Sequence, residues 1–102
     1  MTAYYVLTHT ITADLEQYQR EYIGGAMRIM AKHQGEVIAA VYQAEVLHGS
    51  PPEGVVILRF PSAEAVRAFV NDPEYQPLKQ VRLALTKDSS AVLVPAFEMA
   101  GG

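Results

Sequence analysis

The chain contains no cysteine and no tryptophan. The first absence excludes disulfides, thiolate nucleophiles and cysteine-ligated zinc or iron–sulfur centres. No apolar stretch approaches the ~20 residues that span a bilayer, so no membrane partner is expected. The opening Met1-Thr2-Ala3-Tyr4-Tyr5 lacks the basic start and long apolar run of a signal peptide, and cytoplasmic residence is the expectation. Basic residues are scattered singly from Arg20 to Lys87, and the formal net charge is −3. Nucleic-acid binding needs a clustered basic face to neutralise phosphates, so no nucleic-acid partner is expected. His9, His33 and His48 show no HxH or HxxxH spacing, which leaves no local metal motif. Gly24-Gly25 lacks the strand–glycine loop–helix context of a phosphate cradle.

What is present suits one small domain over residues 1–102, with 98–102 as a flexible tail. At 102 residues the chain is too short for two domains. Half of it is hydrophobic and 19% is charged, a globular balance that is rich in apolar residues for so small an object. That richness favours an apolar interface with a second copy.

Tyr4–Ile11 is dominated by aromatic, β-branched and threonine residues and reads as a strand. Alternation separates Tyr5, Leu7, His9 and Ile11 from Tyr4, Val6, Thr8 and Thr10. Neither set is wholly polar, so both faces need cover. Thr12 or Asp14 caps a long helix whose stripe is Leu15, Tyr18, Tyr22, Ala26, Ile29 and His33. Gly24-Gly25 interrupts it, which a close helix–sheet approach or a bend would explain, and Gly35 supplies the stop. Glu36–Tyr42 is a second strand, and residues 48–54 form a Gly- and Pro-rich loop. Val55–Phe60 is a third strand, with Phe60 expected in the core opposite Arg59. Ser62 caps a short helix, Ala63–Val70. Asn71-Asp72-Pro73 breaks it, Pro73 starts another helix, and Asp72 is the expected N-cap. Leu78, Val81, Arg82 and Leu85 share one face of that last helix. Asp88-Ser89-Ser90 reads as a turn before a final strand, Ala91–Phe97, whose Pro95 implies an edge position or a bulge.

The order βαββαβ is ferredoxin-like: α+β, with an antiparallel sheet and helices on one face. Strands one and three are expected side by side and parallel at the centre. The other sheet face is apolar and must be buried, most simply by a two-fold homodimer.

The sequence resembles the dimeric α+β barrel proteins of domain-of-unknown-function family 1330. The residues that carry the likeness are Asp14-Leu15-Glu16-Gln17-Tyr18, Gly35, Glu45-Val46-Leu47-His48-Gly49, Phe60-Pro61-Ser62, Asp72-Pro73-Glu74-Tyr75, Arg82 and Val92-Leu93-Val94. The resemblance implies a dimeric barrel with a cavity beside the sheet of each subunit. The wider superfamily includes cofactor-independent monooxygenases, small isomerases, dehalogenases and haem-degrading enzymes. This chain has His48 where the family usually has Glu, and it lacks the family's longer, tryptophan-bearing loop.

For catalysis the candidates are His9 and Arg59. In-register pairing from the strand starts would bring them together on one face, the histidine as general base and the arginine as holder of a carboxylate or enolate oxygen. The alternative is a cross-subunit bridge at the dimer seam. His48, in a loop, is either a substrate contact or a surface residue. Tyr75 and Arg82 are candidate substrate-binding residues, with Arg82 free to bind an anion or to pair with Asp72. Tyr18, Tyr22 and Tyr42 are candidate pocket walls, and Met27 and Met30 read as packing. Together these readings predict a cofactor-independent enzyme, monooxygenase- or isomerase-like, acting on a small, partly apolar organic molecule, with no cofactor or metal expected. The alternative is a non-catalytic, small-ligand-binding or stress-associated homodimer.

Overall fold

The computed structural model describes residues 1–97; the tail expected over 98–102 lies outside them. Strand β1 (Ala3–Ile11) leads into a continuous helical segment made of α1 (Leu15–Tyr18), a π-helical turn (Gln19–Ile23) and α2 (Gly24–Lys32). Strands β2 (Glu36–Val41) and β3 (Gly54–Phe60), helices α3 (Ala63–Val70) and α4 (Tyr75–Leu85), and strand β4 (Thr86–Pro95) follow. The sheet order is β2-β3-β1-β4, and every neighbouring pair is antiparallel. This is the ferredoxin-like arrangement expected from the element order. No helix among the described residues is long and apolar enough to cross a membrane.

One expectation about the sheet fails. Strands β1 and β3 are neighbours at the centre, but they run antiparallel, with Ala3 across from Phe60 and His9 across from Gly54. The physical reason lies in the connections. The helical crossover makes β1 and β2 parallel with a gap between them, and β3 returns from β2 antiparallel into that gap.

Alternation along β1 decides which face the helices cover. Ala3, Tyr5, Leu7 and His9 are buried, while Tyr4, Val6, Thr8 and Thr10 are half-buried on the helix-free face. The core sits between the first face and the helices, where Phe69 packs against Tyr5, Phe60 and Tyr75 with ring centroids 5.8, 5.5 and 4.7 Å away. Phe60 is buried and Arg59 exposed, as strand alternation requires.

Local signals place the helices. Asp14 accepts the Gln17 amide and Ser62 accepts the Ala65 amide, each capping an N-terminus. In an α-helix, steps of four residues drift about 40° round the axis. The wider π turn reduces that drift and keeps Tyr18, Tyr22 and Ala26 on the sheet-facing side. Gly25 marks a close helix–helix approach, not the expected helix–sheet one: a Cβ there would lie 3.0 Å from Leu78 Cδ1. The left-handed residue that ends α2 is Gln34, at φ 64°, where Gly35 was the expected stop.

Helix α4 begins at Tyr75, later than Pro73. Asp72 serves it through an Asx turn, its Oδ1 accepting the Glu74 amide at 2.9 Å. The buried Asp72 Oδ2 meets His33 Nε2 at 2.7 Å and Lys32 Nζ at 2.9 Å. Asp72 therefore ties α4 to the end of α2 and leaves Arg82 without it. The trio Asp88-Ser89-Ser90 is not a turn before the strand but part of β4. Thr8 pairs with Ser90 and Thr10 with Lys87, so β4 carries one extra residue opposite His9. Asp88, at φ 55°, absorbs this β-bulge, a conformation aspartate tolerates better than most residues. Pro95 lies on an edge strand, as its missing donor demands.

Candidate functional site

His9 points from the centre of the sheet into the helix-covered side and is 1% exposed. Neither of its ring nitrogens has a hydrogen-bond partner among the described residues. Burying an unsatisfied polar group is costly, so the position calls for a compensating partner or a function. Burial, and after it the charge of Arg82, holds the imidazole pKa below its ordinary value. At neutral pH His9 is therefore uncharged and able to accept a proton.

The ring lines an almost wholly apolar cavity of about 570 Å³, within the range of small-molecule sites. Its walls include Leu7, Tyr18, Tyr22, Met30 and Leu58, and the partly exposed Val41 and Tyr42 stand at its margin. An aromatic file leads away from His9. Tyr18 lies 5.8 Å from it, Tyr22 stacks on Tyr18 at 5.2 Å, and the Tyr22 and Tyr75 hydroxyls share a 2.7 Å hydrogen bond.

Tyr75 faces a second cavity, of about 520 Å³, between α3, α4 and β4. Arg82 lines it, 4% exposed, and donates from Nη1 to Ser89 Oγ at 2.6 Å. Arg82 Nε has no hydrogen-bond partner among the described residues. Burial raises the pKa of Tyr5, Tyr18 and Tyr22, with Tyr75 adding to each shift, so these phenols stay neutral at physiological pH. Tyr5 is the wall common to both cavities.

Residues 2–97 match the family described as Domain of unknown function (DUF1330). The protein belongs to the DUF1330 family. Among curated proteins no sequence match was found. The fold is similar to that of RPA0582, a protein of unknown function from Rhodopseudomonas palustris, with TM-score 0.76 and 16% identity over 96% of this chain and 84% of that one. It is also similar to SnoaB, a cofactor-independent oxygenase from Streptomyces nogalater, with TM-score 0.70 and 16% identity over 99% and 98% of the two chains. A nipsnap family protein of unknown function from Agrobacterium tumefaciens aligns with TM-score 0.63 and 17% identity, over 98% and 92% of the chains.

In this DUF1330 protein the expected pairing of His9 with Arg59 does not form. Antiparallel register sets Arg59 across from Tyr4, at the far end of β3 and on the helix-free face. There its Nε donates to Glu36 Oε1 at 2.6 Å, in an exposed ion pair. His48 is exposed in the β2–β3 loop and lines neither cavity. His9, Tyr18, Tyr22 and Tyr42 do come together around the first cavity, and Tyr75 and Arg82 around the second. Sequence reasoning missed Tyr5, although it shares the alternating set of His9 on β1. It also missed Lys79 and Arg67, whose approach to Arg82 depends on how α3 packs beside α4.

Proposed function

We propose that this DUF1330 protein is a small enzyme that works without a cofactor on a small, partly apolar organic molecule in the His9 cavity, as an oxygenase or an isomerase. The observation that carries this reading is the buried, uncharged and unpartnered imidazole of His9 in an aromatic-walled cavity. Such a group is a general base in want of a proton donor. A substrate with an acidic phenol or a doubly activated CH₂ would give His9 a proton and become an electron-rich anion. Returned to a different carbon, the proton completes an isomerisation. Alternatively, the anion reduces dioxygen. The CH₂ then becomes C=O, one oxygen atom enters the product and the other leaves as water with the two hydrogens of the CH₂, and the substrate supplies all four electrons that reduce dioxygen. The fold shared with SnoaB supports the choice of this chemistry as the first to test. The working form in this proposal is a homodimer, in which a second copy covers Tyr4, Val6, Ile57, Val92 and Val94 of the helix-free sheet face.

The test is solvent deuterium exchange, followed by NMR, into small phenols and 1,3-dicarbonyl compounds, with oxygen uptake measured in parallel. Wild-type protein should accelerate exchange or consume oxygen with at least one of them, and folded His9→Gln should do neither. If the compounds bind without exchange or oxygen uptake, and bind His9→Gln equally well, the protein is a non-catalytic binder.

A further inference from the structure

We propose that the Arg82 cavity is a binding site for a small organic carboxylate, separate from the His9 cavity. Arg82 is a guanidinium 4% exposed whose one hydrogen bond among the described residues goes to a neutral hydroxyl. It forms no ion pair with any described carboxylate, and its buried Nε has no partner among the described residues. A buried cation is retained at a cost unless something supplies countercharge. The phenols of Tyr5, Tyr18 and Tyr22 do not, because burial keeps them neutral at physiological pH.

The remaining lining points the same way. Lys79, half-buried, and Arg67, exposed, bring two more positive charges to the cavity, and no described acidic residue lines it. Three cations in a concave site focus the field on an entering anion. Asn71, Ser89 and Ser90 add neutral polar groups, while Val66, Val70 and Leu83 form an apolar wall. The ligand that fits is therefore an anion with an apolar body. A carboxylate matches best, since its planar pair of oxygens suits a guanidinium edge and its single charge suits one fully buried cation.

The probes are benzoate, its neutral isostere benzamide and inorganic phosphate, each titrated into the ¹⁵N-labelled protein. Benzoate should saturate and shift the amides of Asn71, Ser89 and Ser90, and benzamide should bind at least tenfold more weakly. Arg82→Met should weaken benzoate at least tenfold, and Arg67→Gln with Lys79→Gln should weaken it severalfold. Should Arg82→Met fail to fold, the benzoate–benzamide ratio on wild type and the loss in the double variant decide the matter. Equal binding of the two isosteres, shifts confined to Val37 and Ala40 around the His9 cavity, or saturation by phosphate but not benzoate would each overturn the assignment. This assignment is read from binding, and the His9 proposal from exchange and oxygen uptake in wild type and His9→Gln, so failure of one is distinguishable from failure of the other.

Discussion

Gly54 lies directly across the β1–β3 ladder from His9, and a Cβ built on it would stand 2.7 Å from the His9 carbonyl oxygen and 3.2 Å from Nε2. On the other side of His9, the β4 bulge opens the second ladder. The sheet thus makes room for this one side chain on both flanks. Bulges of this kind recur where a strand re-aims a functional residue.

Gly54→Ala should displace the His9 strand or ring, because the contact with backbone leaves no soft atom to yield. The expected cost is about 1–3 kcal/mol, typical of overpacking, read from urea denaturation. An alanine variant as stable as wild type, with unchanged His9 ring resonances, would show that the ladder is looser than drawn.

His9 should remain neutral at pH 7 in a ring-nitrogen NMR titration, because burial and then Arg82 depress its pKa. Arg82→Met removes the second cause and should raise that pKa. The folded value lies below the unfolded one, so the unfolded chain takes the proton first as pH falls. This contribution to stability is complete above the ordinary imidazole value of about 6.5 and is lost as pH drops through it toward the folded pKa. A His9 already protonated at pH 7 would contradict both the geometry and the proposed base.

The Asp72 contacts predict behaviour on the acid side. Hydrogen bonds from His33, Lys32 and the Glu74 amide hold its carboxyl well below the usual carboxylate range. Stability from this cluster is present above the unfolded value of about 3.9 and is lost as pH falls from there toward the depressed folded value. Asp72→Asn should melt lower at neutral pH and show a shallower fall in Tm on acidification. Parallel acid limbs for the two proteins would dismiss the cluster as a stabilising element.

Phe60 is 1% exposed and packs on Phe69 beneath α3. Phe60→Ala should cost about 3–5 kcal/mol, the range for a large aromatic removed from a core. A loss under about 1 kcal/mol would mean that the core collapses around the cavity far more easily than close-packed interiors do.

Sedimentation velocity at micromolar concentration should find a homodimer, with Ile57→Asp, on the helix-free face, shifting it to monomer. A wild-type chain that sediments as a stable monomer would defeat the proposed assembly.

Several features were legible in the residues themselves because short-range chemistry controls them. The cap at Ser62, the helix Ala63–Val70 and the burial of Phe60 opposite Arg59 all depend on a residue and its near neighbours. So do His9 as a polar side chain on an otherwise apolar strand face, and the tyrosine stripe of the first helix. Family likeness, carried by motifs in order along the chain, was legible for the same reason. The choice of Asp14 over Thr12 as cap, and of an edge strand over a bulge at Pro95, came instead from the structure.

Only the tertiary structure decided what His9 and Arg82 face. Alternation assigns a side chain to one of two faces, but strand direction and register decide which residues meet across a ladder, and the antiparallel return of β3 carried Arg59 away from His9. The bulge at Asp88 was hidden because a polar trio that suits a turn also suits a bulge, and the choice depended on β1 continuing alongside. The convergence of Arg67, Lys79 and Arg82 is likewise absent from any local pattern, since it arises from helix packing between residues fifteen positions apart at its limits. Local propensity determined the elements of this protein; long-range pairing determined its cavities, because a site is made by residues that only the closed sheet and its packed helices bring together.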